Sequence, residues 1–397
     1  MDVGTFYALL SPAGQEALQA ATDLEPRESE FLRDFTILNR HYLPGLARDA
    51  LETAILRCEA ADKFPLASRM YFTREALEQA SAYAVSTYRA GRFHPFQRLV
   101  DLGCSIGGDT LTLAALAPTL GIDRDPLRPA MAQANAHALD LEDRVSLIQA
   151  DLLTPLPLSP HPLSLDLAFF FDPSRRIGGK RLFSVKDYRP HLSIVRDWLP
   201  RFPALGVKIS PGVDLTELVG YDVEIEFISL HGELKEAVLW FGPLRTTRRR
   251  ATVLPGPHSL VAGSGDTTLP ISEPLTYLYE PDPSVLRAGL VAVLDTELDA
   301  AQLDPDIAYL TSEKVKPTPF ARVWAVEDWF PFGLKRLRAY LRERNIGKIT
   351  VKKRGSPLQP DALIHDLHLK GDNERVIFLT HLRGRPIVVI SLNVQCY

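Results

Sequence analysis

Leu99-Val100-Asp101-Leu102-Gly103-Cys104-Ser105-Ile106-Gly107-Gly108-Asp109 reads as a short apolar strand ending in an acid, then a glycine-rich turn, then the start of an apolar helix. A turn of this kind brings backbone close to a ligand at the carboxyl end of a parallel strand, where open α/β sheets bind nucleotides. The dinucleotide fingerprint G-x-G-x-x-G does not fit, because Ser105 stands two positions after Gly103. That mismatch counts against a nicotinamide oxidoreductase.

Outward from this stretch the pattern alternates between strand and helix. Strands are predicted over 98–102, 119–123, 145–149, 165–171 and 204–209, with a helix over 107–116. Asp125 caps a further helix that Pro126 opens. The 165–171 stretch is almost wholly apolar, as a strand covered on both faces must be. Two more strands, 223–230 and 237–241, are spaced to pair as a hairpin. The predicted class is α/β: a Rossmann-like parallel sheet closed by an antiparallel hairpin.

Upstream, the chain reads as helices over 13–22, 28–40 and 46–61, with apolar residues at three- and four-residue steps. A fourth follows Thr73 and runs toward Tyr88. Residues 245–273 are rich in Gly, Pro, Ser and Thr, with strand-like patches at 251–254 and 259–262. Beyond them helices are predicted at 283–298 and 332–344, a strand at 348–352, and a hairpin from 375–380 and 386–393 turned by Arg383-Gly384-Arg385. The resulting division is a helical domain (1–93), an α/β core (94–245), a connector (246–273) and a C-terminal α/β domain (274–397).

With 46% hydrophobic and 24% charged residues, the 397-residue chain has the composition of a globular protein of two or three domains. It has no apolar run of membrane-spanning length and no basic-then-apolar leader, so a cytoplasmic location and no membrane association are expected. Cys58, Cys104 and Cys396 are few and far apart, which fits reduced thiols and no metal site. His365 and His368 lack further metal-type ligands nearby. The net charge of −4 hides a segregated stretch: residues 335–354 carry nine basic side chains against the lone acid Glu343. Such a patch can replace counterions along a phosphate backbone, which points to nucleic acid as partner.

The Asp101 to Gly108 turn resembles the first motif of class I S-adenosylmethionine (SAM) methyltransferases, D/E-x-G-x-G-x-G, with serine at its middle glycine. Phe171-Asp172-Pro173-Ser174-Arg175-Arg176 resembles the fourth motif, (D/N/S)-P-P-(Y/F/W), of those acting on base nitrogens, with Ser174 and Arg175 in place of the second proline and the aromatic. Leu278-Tyr279-Glu280-Pro281-Asp282-Pro283, Ile307-Ala308-Tyr309-Leu310-Thr311, Pro319-Phe320 and Lys352-Lys353-Arg354-Gly355 extend the likeness to class I enzymes carrying a C-terminal THUMP-like domain. No cysteine lies in the 172–176 loop, which excludes carbon-5 methylation of pyrimidines.

The resemblance implies SAM as cofactor, with Asp101, Gly103, Ser105 and Gly107 at its methionine part, Asp123 on its ribose diol and Asp151 at its adenine. Asp172 and Pro173 would present the acceptor nitrogen. Tyr71, in Met70-Tyr71-Phe72-Thr73-Arg74, and Arg175 and Arg176 would face the substrate; the alternatives are an apolar anchor and an exposed turn. Lys352, Lys353 and Arg354 would meet RNA, either tRNA or rRNA. The expected function is SAM-dependent methylation of an RNA nitrogen. A methyltransferase of small molecules or proteins, and an RNA-binding protein with a degenerate pocket, remain the alternatives.

Overall fold

A computed structural model describes residues 1–154, 166–177, 180–262 and 269–393. The chain forms two compact units, Met1–Ile225 with Lys235–Thr246, and Glu226–Leu234 with Thr247–Tyr397.

The first unit opens with helices α1 (Val3–Leu10), α2 (Pro12–Asp23), α3 (Phe31–Leu38) and α4 (Pro44–Glu59). Ser11 caps α2 by accepting from the Gly14 N–H, and Pro12 sits where a helical N–H would have no partner. The periodicity gave no helix before Ser11. What fixes α1 is a capping box: Asp2 accepts from the Thr5 N–H while the Thr5 hydroxyl accepts from the Asp2 N–H. The single helix expected after Thr73 is two, α5 (Arg74–Gln79) and α6 (Tyr83–Ala90). Lys63 enters the break: its Nζ donates to the Leu77 carbonyl at 2.6 Å and its own carbonyl accepts from Tyr83 N at 2.9 Å. Main-chain groups freed by the interruption thus keep partners.

Then follow β1 (Arg98–Leu102), α7 (Gly108–Ala114), β2 (Thr119–Asp123), α8 (Leu127–Ala138), β3 (Val145–Gln149) and β4 (Leu167–Phe171). The short β5 (Arg176–Ile177) and β6 (Lys180–Arg181), α9 (Val195–Trp198), β7 (Leu205–Ile209), β8 (Glu224–Leu230) and β9 (Glu233–Phe241) complete this stretch. Within the unit the strand order is β3-β2-β1-β4-β7-β9. Neighbours from β3 to β7 are parallel, and β9 runs antiparallel to β7 with Leu205 opposite Phe241 and Ile209 opposite Ala237. This is the sheet the sequence pattern predicts. Phe169, Phe170 and Phe171 on β4 are all buried. Because β2 flanks β1 on one side and β4 on the other, the carboxyl end of β1 is a topological switch point, the place where open α/β sheets bind their ligands. Between β8 and β9 the turn His231-Gly232 has φ of +53° and +77°, the type I′ geometry that suits a hairpin.

The second unit continues with β10 (Arg249–Leu254), β11 (His258–Val261), β12 (Tyr277–Pro281), α10 (Pro283–Ala288), α11 (Val291–Leu298), β13 (Ala301–Asp304) and β14 (Ile307–Ser312). It ends with β15 (Ala321–Pro331), α12 (Leu334–Glu343), β16 (Ile346–Lys353), α13 (Pro360–Leu367), β17 (Asn373–Leu382) and β18 (Arg385–Asn393). A seven-stranded sheet has the order β13-β14-β12-β15-β18-β17-β16. Leu278, Tyr309, Trp324, Phe378 and Val389 form one of its cores, and Leu337, Leu341, Leu363, Leu367 and Ile377 another beneath α12 and α13. The helix expected over 283–298 is broken at Gly289, which takes a left-handed φ of +69°.

Candidate active site

The turn after β1 is built by backbone conformations that select its residues. Gly103 has φ +85°, and a Cβ there would stand 2.8 Å from the Asp172 carbonyl oxygen. Only glycine therefore lets the turn meet the loop after β4 this closely. Ser105 holds a left-handed φ of +48°, so the serine keeps the conformation that favours glycine at the motif's middle position. Gly107, at φ +89°, starts α7. The Gly103 and Cys104 N–H groups both donate to the Ile122 carbonyl, at 2.8 and 3.0 Å.

Asp123, at the end of β2, accepts from Ser105 N through Oδ2 and from Asp125 N through Oδ1, each at 3.0 Å. Burial raises its pKa, while those two N–H groups oppose the rise. Asp101 is only 1% exposed. Its Oδ2 accepts from Thr110 Oγ1 at 2.6 Å, and its Oδ1 has no hydrogen-bond partner among the described residues. Burial, reinforced by the charge of Asp109, pushes the Asp101 carboxyl up to about 8.

Asp172 follows β4, its N–H donating to the Leu102 carbonyl at 3.1 Å. Lys208 Nζ, from β7, lies 2.7 Å from its Oδ2, and an Arg175 guanidinium nitrogen lies 3.9 Å from its Oδ1. Burial alone would raise the Asp172 pKa, but Lys208, Arg175 and Arg89 hold it below the ordinary carboxylate range. Arg89 on α6 is 2% exposed, bridges Asp109 and Glu236, and lies over the Phe170 ring at 4.5 Å. Nothing in the motif spacing singled out Lys208, Arg89, Asp109 or Glu236. The legible clue to the first was a lone lysine inside the apolar run Leu205-Gly206-Val207-Lys208-Ile209.

The structure thus brings Asp101, Gly103, Ser105, Gly107, Asp123, Asp172, Pro173 and Arg175 to the carboxyl ends of β1, β2 and β4. Asp151 is exposed just beyond β3, where Ala150 N donates to the Asp123 carbonyl at 3.0 Å, and its Oδ1 accepts from Leu153 N in a local turn. The Arg176 side chain lies outside the described residues. Tyr71 is buried against Phe6 among the N-terminal helices, with Arg57 over its ring at 4.9 Å. Asn135 ties the Tyr71 main chain to the Ile106 carbonyl of the turn, while Thr73 caps α5.

In the second unit Lys352 and Arg354 both pair with Glu280, and Lys353 donates to the Leu358 carbonyl at 3.0 Å. Lys353 is nonetheless exposed, as are Lys335, Arg336, Arg342, Arg344 and Lys348 of the basic stretch. Arg336 rests over Phe330 and Arg344 over Tyr340, at 4.4 and 3.7 Å. Among the described residues no helix is long and apolar enough to cross a membrane.

Residues 321–391 match the THUMP domain-like family, and residues 2–60 match a domain of unknown function (DUF8688). Two uncharacterized S-adenosylmethionine-dependent methyltransferases, from Mycobacterium tuberculosis strains CDC 1551 and H37Rv, are each 35% identical over 344 residues, covering 84% of this chain and 92% of theirs. A crystal structure from Porphyromonas gingivalis W83, assigned as a methyltransferase, superposes with a TM-score of 0.72 at 19% identity, covering 94% of this chain and all of that one. The fold is therefore shared over nearly the whole length, and the sequence relation over most of it. The chain belongs to the family of S-adenosylmethionine-dependent methyltransferases.

Proposed function

We propose that the protein methylates a nitrogen of an RNA base, in tRNA or rRNA, at the crevice where the β1 turn abuts Asp172. The observation that carries this reading is the placement of an ionised, partly exposed carboxylate against the turn after β1, where the missing Cβ of Gly103 admits the Asp172 carbonyl. In this reading residues 1–93 and 94–245 form the catalytic module, 246–273 connect it, and 274–397 engage RNA in the cytoplasm.

The residues present fit the cofactor. Asp101 Oδ1, buried and without a hydrogen-bond partner among the described residues, would accept from an ammonium group, whose positive charge favours loss of the proton that burial otherwise holds on this carboxyl. Gly103, Ser105 and Gly107 keep backbone at the wall of the crevice. Asp123 retains a second lone pair on each oxygen for a ribose diol, and exposed Asp151 can accept from an adenine amino group. When bound, SAM supplies a methyl group on a positively charged sulfur. Asp172 accepts a hydrogen bond from the acceptor N–H and so aims the nitrogen lone pair, and such positioning supplies much of a bimolecular rate. Pro173 fixes the loop that carries it.

The RNA part of the proposal is supported by the exposed cations of α12 and β16. The test is to incubate the full chain with methyl-labelled SAM and bulk RNA from cells lacking the gene, and to analyse nucleosides. Label in one N-methylated nucleoside is expected, and lost in Asp172→Ala. Label only in protein or small-molecule fractions would overturn the RNA reading and favour the alternative acceptors.

A further inference from the structure

The last parallel register pair between β4 and β7 joins Phe171 to Val207, so the next residues, Asp172 and Lys208, come level at the strand ends. A lysine in a strand buried along its whole length is costly unless its charge is paired. Here the partner is Asp172 Oδ2, at 2.7 Å. The two side chains differ in access: Lys208 is 3% exposed and Asp172 is 22% exposed, so an acceptor reaches the carboxylate and not the ammonium. The charged groups facing Asp172 are Lys208 from β7, Arg175 from its own loop, Arg89 from α6 and Asp101 from β1. Arg89 is engaged by Asp109 and Glu236, and Arg175 stands off at 3.9 Å. Lys208 is the cation in hydrogen-bond contact.

We propose that Lys208 is a positioning residue that keeps Asp172 ionised and occupies its Oδ2, leaving Oδ1 to take an acceptor nitrogen that bears at least one N–H. The proposal rests on the reading of Asp172 as the acceptor-binding group. An ionised carboxylate accepts that N–H and favours the positive charge that grows on nitrogen. The nitrogen lone pair forms the new N–C bond as the C–S bond breaks with its electron pair going to sulfur, and the surplus proton leaves to water on the open side of Asp172. A protonated Asp172 would instead donate to the nitrogen lone pair and block the transfer. Nucleophiles without an attached hydrogen are disfavoured for the same reason.

The experiment titrates carboxylate-13C aspartate in the full chain, with Asp172 assigned by its loss in Asp172→Asn, and follows labelled-methyl transfer to bulk unmodified RNA across pH. Removing the cation favours the protonated acid, so Lys208→Met should raise the Asp172 titration by at least one unit and move the acid limb of the rate profile up with it. That corresponds to about a tenfold loss of rate per unit at pH below the limb. Lys208→Arg should keep both near wild type. Lys208→Gln, polar and neutral, replaces Lys208→Met where the latter fails to fold. An unmoved Asp172 titration in the neutral variants overturns the proposal whether or not RNA is the acceptor. Undiminished transfer by Asp172→Ala, which leaves no side-chain acceptor, would overturn the acceptor role of Asp172 itself, and is a separate result.

Discussion

At Gly103 two constraints coincide, a φ of +85° and a carbonyl oxygen 2.8 Å from where a Cβ would stand. Gly384 offers the control, with φ +74° and open space around it. Gly384→Ala should cost only the left-handed penalty, about 1 to 2 kcal/mol. Gly103→Ala should cost more and displace the Asp172 loop, as urea denaturation of the pair will read; equal costs would mean that the contact gives way freely. Asp101 yields a pH prediction. Folded, it keeps its proton up to about pH 8, whereas an unfolded aspartate loses it near 3.9. Unfolding between those values releases a proton, so stability falls as pH rises through that window. Asp101→Asn, which still accepts from Thr110, escapes the loss. Its melting temperature should gain on wild type steadily from pH 5 to pH 8, and a gap that stays constant would show that Asp101 titrates normally. The sequence made these acids and glycines legible because a turn motif fixes them by local spacing. It left Lys208 and Arg89 unread because their roles come from strand register and from partners far along the chain.

Among the elements, β1, β2 and β3 form over the residues predicted, since each is a short apolar run bounded by turn chemistry. The strands β12 to β15 were not anticipated. In β15 the register shifts between Val326 and Asp328, which breaks the alternation by which a strand is recognised. Helix α6 shows how an element is held by a charge the pattern does not reveal. Arg89 reaches from it to Asp109 on α7 and Glu236 on β9, and both Arg89 and Glu236 are almost wholly buried. Breaking a buried network from one side leaves uncompensated charge, at a typical cost of 3–5 kcal/mol. Arg89→Met should therefore destabilise the fold by about that amount in chemical denaturation, and adding Glu236→Gln should recover part of it. If the double variant were as unstable as the sum of the two single ones, the network would not act as a unit.

For the molecule as a whole, the sign of the net charge misleads. A total of −4 coexists with a helix, α12, that buries Leu337, Tyr340 and Leu341 and turns Lys335, Arg336 and Arg342 outward. The basic stretch was legible in sequence, but its division was not. Lys352 and Arg354 are spent on Glu280, a partner in β12 that no local spacing connects to them. If the exposed set tracks an RNA backbone, affinity for bulk tRNA must fall steeply with salt, because each neutralised phosphate releases counterions. Reversing three charges in Lys335→Glu, Arg342→Glu and Lys348→Glu should weaken binding. It should also reduce the slope of log affinity against log salt by about 0.7 to 0.9 per lost contact. SAM affinity should stay as in wild type, because α12 and β16 belong to the second unit and the Asp101, Asp123 and Asp172 crevice to the first. Lys352→Ala should instead lower stability more than it lowers the salt slope, since its charge already answers Glu280. A slope that the triple reversal leaves unchanged would remove the basic face from RNA binding and return the acceptor question to the crevice alone.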